Sequence, residues 1–162
     1  MNYHDIVKED MLNGSGIRVV LFVSGCEHHC KNCHNPQTWS PDSGIPFDES
    51  AVEEIKKELN KSYVSGLTLS GGDPLHCSNY KACLELCKQL RVEFPNKNIW
   101  LYTGSSWEDI SGLEIMNYVE VVVDGEFVDE LKDVNFRYAG STNQRVIDVK
   151  ASLSQNKVVL FE

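Results

Sequence analysis

The chain of 162 residues is predicted to be an α/β protein with a mostly parallel sheet, any (β/α) barrel being partial and open, forming one domain over residues 1–162. Three observations predict this. Apolar, β-branched runs alternate repeatedly with amphipathic helical patterns, the order that yields parallel strands joined by crossover helices. The length suits a single core. A closed eight-unit barrel needs roughly 200 residues or more, so any barrel here is partial.

The elements follow in order. Ile17 to Val23 is almost continuously apolar, as a strand buried on both faces requires. Ser50-Ala51-Val52-Glu53 has the form of a capping box opening a helix to about Asn60, with Val52, Ile55 and Leu59 as its apolar stripe. Gly66 to Ser70 reads as the second strand and runs into Gly71-Gly72-Asp73-Pro74. A helix from about Asn79 to Phe94 stops at Pro95. Asn98 to Tyr102 is the third strand, followed by a short helix near Trp107, and Val119 to Val123 is the fourth. Beyond Asp129 the pattern is less regular; Arg145 to Val149 and Lys157 to Phe161 fit either strands or a tail closing over the sheet.

Composition excludes several classes. The net charge is −9 with no block of Lys or Arg, so nucleic acid is not an expected partner. No apolar run approaches the roughly 20 residues of a membrane span. Met1-Asn2-Tyr3-His4-Asp5 has neither a basic start nor an apolar segment, so no secretory signal is expected and a cytoplasmic location is.

Ligands of open parallel sheets bind at the carboxyl ends of the strands. The Cys-rich loop, the Gly-Gly-Asp-Pro turn, Thr103-Gly104 and Asp124-Gly125 all fall at that edge. The first of these carries Cys26, Cys30 and Cys33 in the spacing Cys-x3-Cys-x2-Cys. Three thiolates so close in sequence can wrap one soft metal centre, either an iron–sulfur cluster or a zinc ion completed by His28, His29 or His34. Inert or redox thiols are the remaining reading. Gly71 and Gly72 permit close backbone approach to a ligand, while an ordinary tight turn capped by Asp73 explains them as well. Cys83, Leu86, Cys87, Leu90 and Phe94 share one helix face and read as core, and Cys77 sits near the edge with no assigned role. Trp39, Trp100 and Trp107 read as core or interface residues.

The cysteine spacing directly after the first strand resembles the signature of radical S-adenosylmethionine enzymes, and Cys26, Cys30 and Cys33 match it completely. The resemblance implies the partial barrel of the radical SAM type and a 4Fe–4S cluster held by three cysteines. Its fourth iron would chelate S-adenosyl-L-methionine, and reductive cleavage would yield a 5′-deoxyadenosyl radical. Gly71-Gly72-Asp73-Pro74 resembles the glycine-rich motif that binds the methionine amino group, with Gly72 foremost and Gly71 and Asp73 beside it. The family's aromatic residue before the third cysteine is Asn32 here, so the adenine contact passes to the segment Asn32, Cys33 and His34.

A closer resemblance, to the anaerobic ribonucleotide reductase activating proteins, covers nearly the whole chain. It runs from Met1-Asn2-Tyr3 and Asn13-Gly14-Ser15-Gly16 through Leu69-Ser70-Gly71-Gly72-Asp73-Pro74-Leu75 to Gly140-Ser141-Thr142-Asn143-Gln144. It implies an oxidoreductase whose partner is the large subunit of the anaerobic reductase. The hydrogen would be taken from a glycine α-carbon, with a reduced flavodoxin-like protein as electron donor. The alternatives are the same chemistry on another glycyl-radical enzyme or a small molecule, and a non-catalytic, zinc-stapled binding protein. Asp124 is a further candidate to face the ribose or the partner, and Arg145 to meet the partner or a substrate carboxylate; a turn residue and a solvated arginine are their plain readings.

Overall fold

A computed structural model describes residues 1–162. Seven strands form one open sheet: β1 (Asn2–Asp10), β2 (Ile17–Val23), β3 (Ile45–Pro46), β4 (Val64–Gly71), β5 (Asn98–Tyr102), β6 (Val121–Asp124) and β7 (Arg145–Asp148). Their order is β3-β1-β2-β4-β5-β6-β7. The central β2, β4, β5 and β6 are parallel, whereas β1, β3 and β7 add antiparallel margins. The sheet is therefore α/β and mixed. The helices are α1 (Glu49–Leu59), α2 (Tyr80–Glu93), α3 (Trp107–Ile110) and α4 (Val149–Gln155).

The period-two alternation of a strand decides which face each residue covers. Val19, Leu21 and Val23 of β2 join Leu67, Leu69, Ile99, Leu101 and Val122 in the main core, against Ile55 and Leu59 of α1 and Leu86 and Leu90 of α2. Each such aliphatic side chain contributes about 1.5–3 kcal/mol on full burial. Cys83 and Cys87 are fully buried there, as their helical spacing implied. The opposite face carries Trp100, Val121 and Val123 packed with Tyr102, Tyr138 and Phe161. Arg18 lies buried on that side and bonds Thr68 Oγ1 at 2.8 Å and the Leu67 carbonyl at 2.9 Å. Burial pushes its guanidinium pKa down to about 10.

Two expectations need correction. The helix α1 is capped by Asp48, whose Oδ1 accepts the Ala51 amide at 3.0 Å, so the capping residue precedes the Ser50-to-Glu53 box. The fourth strand begins at Val121 rather than Val119, after a 3-10 turn at Glu114–Asn117. Of the two readings of Lys157 to Phe161, the tail holds: it runs along β7 through one bridge, Ile147 to Leu160, and the Phe161 ring lies 5.1 Å from Trp100. The nine-residue β1 was not foreseen. Its only buried residue is Ile6, so it lacks the apolar alternation that marks a strand.

Candidate metal centre

The carboxyl ends of β2, β4, β5 and β6 open into one cleft of about 720 Å³. Cys26, His28, Cys30, Cys33 and His34 line it from the loop after β2, Gly71, Gly72 and Asp73 from the end of β4, and Thr103, Gly104 and Gly125 from the ends of β5 and β6. A parallel sheet collects residues distant in sequence at this edge because every strand runs toward it.

The cysteine loop is folded back on the segment that follows it. Gly25 donates its amide to the Thr38 carbonyl at 2.6 Å, and Cys26 donates to the Trp39 carbonyl at 3.0 Å. The His29 ring stacks on Trp39 with centroids 4.3 Å apart. Positive φ values at His29 and Asn32 turn the chain between the cysteines, a conformation that Asn tolerates better than most residues. A tight turn joins Cys33 N to the Cys30 carbonyl at 3.1 Å, and the Asn35 amide donates to Cys33 Sγ at 3.4 Å. All three cysteines are free and half-buried. Burial pushes the thiols of Cys26 and Cys30 up, so thiolates there need a compensating positive centre.

Their sulfurs do not form a trio within 4.8 Å, whereas Glu27, His76 and Cys77 do present ligand atoms that close together on the exposed side. Three thiolates on one zinc at about 2.3 Å would have to stand under 4 Å apart. Cysteines that each bind a separate iron of a cluster stand farther apart.

The Gly-Gly-Asp-Pro turn locks onto this loop. A Cβ on Gly72 would come within 2.5 Å of the Gly25 carbonyl, and Gly71 holds a φ of +106° against the β2 backbone. Gly72 N donates to Val23 O and Asp73 N to Gly25 O, both at 2.8 Å, while the Gly72 carbonyl receives no donor from the chain. The buried Asp73 carboxylate collects the surrounding donors. Its Oδ2 accepts from Thr103 Oγ1 at 2.9 Å and Gly104 N at 3.0 Å, and its Oδ1 accepts from Leu75 N at 2.9 Å. His28 Nε2 lies 2.9 Å from the same Oδ2 and must donate, because a carboxylate only accepts. That bond to Asp73 raises the imidazole pKa against the opposing effect of burial. Asn79, fully buried, donates to the Ser24 and Asp73 carbonyls at 2.8 and 2.9 Å and fastens the two turns together.

Of the residues expected near the adenine, His34 lines the cleft and packs on Phe127 at 4.9 Å. Asn32 instead donates to Asp129 Oδ2 at 2.9 Å. Asp124 and Arg145 engage each other. Arg145 Nη2 donates to Asp124 Oδ2 at 2.6 Å and to Glu108 Oε2 at 2.9 Å, and Asp124 also accepts the Trp107 amide at 2.8 Å. Asp124 is thus the buried anchor of an ion pair, which replaces its reading as a ribose contact, and Arg145 is committed to two carboxylates. The role of Asn79 carried no local signal in the sequence; Thr103 was expected at the strand edge but without its partner Asp73, and His28 drew notice only as a zinc ligand.

The family model of the 4Fe-4S single cluster domain matches residues 12–147, so the chain is an iron–sulfur protein of that type. The anaerobic ribonucleoside-triphosphate reductase-activating protein of Enterobacteria phage T4 is 44% identical over 146 residues, spanning 90% of this chain and 93% of that protein. The protein of the same name from Escherichia coli (strain K12) is 41% identical over 150 residues, 90% of this chain and 97% of its own. That of Vibrio cholerae is 40% identical over 148 residues, 89% and 96% of the two chains. The chain belongs to the family of anaerobic ribonucleoside-triphosphate reductase-activating proteins. No helix of the chain is long and apolar enough to cross a membrane.

Proposed function

We propose that this protein activates an anaerobic ribonucleoside-triphosphate reductase by generating a glycyl radical on it, as a radical S-adenosylmethionine enzyme of one domain, 1–162, with a partial, open barrel. The observation that carries the reading is the set of three free cysteines of one loop, Cys26, Cys30 and Cys33, on the cleft wall beside Gly72. The donor set fits a cluster: three soft thiols of one loop, with the Asn35 amide already directed at one sulfur. Cys26, Cys30 and Cys33 would hold a 4Fe–4S cluster. Bound and reduced, it would supply the electron that cleaves S-adenosyl-L-methionine to methionine and the 5′-deoxyadenosyl radical, which takes hydrogen from a glycine α-carbon.

The chain's own residues bind and orient. Gly72, with a carbonyl that lacks a donor, suits the methionine amino group, flanked by Gly71 and Asp73. Asn32, Cys33 and His34 form the segment assigned to adenine, with the Phe127 ring against His34. The bonds from Asp73 to His28, Thr103 and Gly104 hold the cysteine loop and two strand ends in register, so the glycine turn and the cluster keep a constant separation. Met11, Leu12 and Val134 line the cleft yet are exposed apolar side chains, which suits closure by a peptide segment of the reductase and exclusion of water. A reduced flavodoxin-like protein is the proposed electron donor.

The test is anaerobic reconstitution with iron and sulfide, reduction with S-adenosylmethionine present, and assay of 5′-deoxyadenosine. The expected product is lost in Cys26→Ala, Cys30→Ala and Cys33→Ala, and adding the reductase yields a glycyl radical in electron paramagnetic resonance. Uptake of one zinc with no 5′-deoxyadenosine would overturn the proposal.

A further inference from the structure

Two buried side-chain polar atoms in the whole chain lack a hydrogen-bond partner, Trp39 Nε1 and Asn98 Oδ1. An indole N–H is a donor only, and leaving it desolvated and unpaired costs about 1–3 kcal/mol. Trp39 lines the same cleft as the three loop cysteines. The indole stacks on His29 with an interplanar angle of 13°, and an N–H lies in the plane of its own ring. The stacking therefore cannot satisfy it. Nor is Trp39 loosely placed: its carbonyl accepts the Cys26 amide at 3.0 Å, and His29 lies between Cys26 and Cys30 in the loop. No group of the protein chain supplies the acceptor that this donor requires.

We infer that Trp39 is a positioning and tuning residue of the metal centre, its Nε1–H donating a hydrogen bond to a sulfur of the bound iron–sulfur cluster or of one of its cysteine ligands. This rests on the three-cysteine cluster proposed above. Sulfur is the acceptor favoured by placement, because the indole stacks on His29 of the cysteine loop and the Trp39 carbonyl accepts the Cys26 amide, whereas no contact ties Trp39 to the glycine turn. Hydrogen bonds to cluster sulfurs help set the reduction potential of such centres. An N–H dipole directed at sulfur stabilises the more negative, reduced state, so Trp39 makes the centre easier to reduce.

The experiment compares reconstituted wild-type protein, Trp39→Phe, and protein with benzothienylalanine at position 39, which keeps the fused bicycle but lacks the N–H. Iron, sulfide and potential are measured for each, together with proton couplings of the reduced centre in H2O and D2O by electron–nuclear double resonance. The expected result is equal cluster content, with the reduced-to-oxidised ratio at a fixed poise about tenfold lower in both variants. For a one-electron couple that corresponds to about 59 mV. One exchangeable proton coupling of the wild type is also expected to vanish. Equal cluster content with an unchanged potential and unchanged couplings would overturn the assignment while leaving the cluster reading intact. A wild-type protein that assembles no cluster would overturn both. Should Trp39→Phe lose its cluster through misfolding, the benzothienylalanine protein decides between these outcomes.

Discussion

Two buried aspartates stand at the carboxyl edge of the sheet, Asp73 just after β4 and Asp124 at the end of β6, exposed by only 3% and 1%. Both are carboxylates in low-dielectric surroundings, and both escape the cost of burial by collecting donors. They collect them differently. Asp124 is held by Arg145, a permanent cation that also grips Glu108 at the protein surface, and by the amide that opens α3. Asp73 is held by two strand-end groups of β5, the Leu75 amide and the imidazole of His28, which belongs to the cysteine loop. The first arrangement braces the sheet margin. The second couples the candidate metal centre to the glycine turn, so the same residue type serves stability in one place and site geometry in the other.

The two aspartates differ most in what Asp73→Ala removes. It leaves Thr103, Gly104 and Leu75 with unpaired donors and is expected to cost about 3 kcal/mol. Under the proposed function it also abolishes 5′-deoxyadenosine formation in whatever fraction stays folded. Denaturant melts and product assay on the same sample check both parts; normal product formation would sever Asp73 from the site. Arg145→Ala is expected to cost less, about 2 kcal/mol, because that pair is partly open to solvent, and to leave cluster uptake at the wild-type level. Impaired iron uptake by well-folded Arg145→Ala would erase the distinction between the two aspartates.

The smallest effect is a pH dependence confined to the margin. The Glu108 carboxyl is held below its ordinary value of 4.5, first by its hydrogen bond to Arg145. A depressed carboxyl pKa contributes stability that is present above the unfolded-state value and lost as pH falls through the folded-state value. Thermal melts from pH 6 down to pH 3 should therefore show a slope below about 4.5 that flattens slightly in Glu108→Gln. An identical slope in that variant would remove Glu108 from the account.

Much of the fold was legible because its central strands are buried on both faces. Ile17–Val23 and Asn98–Tyr102 emerge with the expected bounds, and β4 extends the expected Gly66-to-Ser70 run. Such runs are apolar for most of their length, and little else in a short sequence looks the same. The margins were harder to read. In β1 a single residue is buried and charged residues stand along its outer half, which suits a strand near the sheet edge and hides it from any search for alternation. The cap at Asp48 escaped because Ser50-to-Glu53 offered a competing motif of equal local quality.

The cysteine spacing and the glycine turn are local features, and the order of strands along the chain already places them together at the strand ends, since parallel strands all point the same way. How they are joined emerges with the folded chain alone. His28, Asp73, Asn79 and Thr103 are separated by up to 75 positions, and no periodicity or short motif links residues so far apart. Their pairing follows from the register β2↔β4↔β5, which brings Val23 beside Gly71 and Leu69 beside Leu101, so that polar groups just beyond those strands must satisfy one another or remain buried without partners.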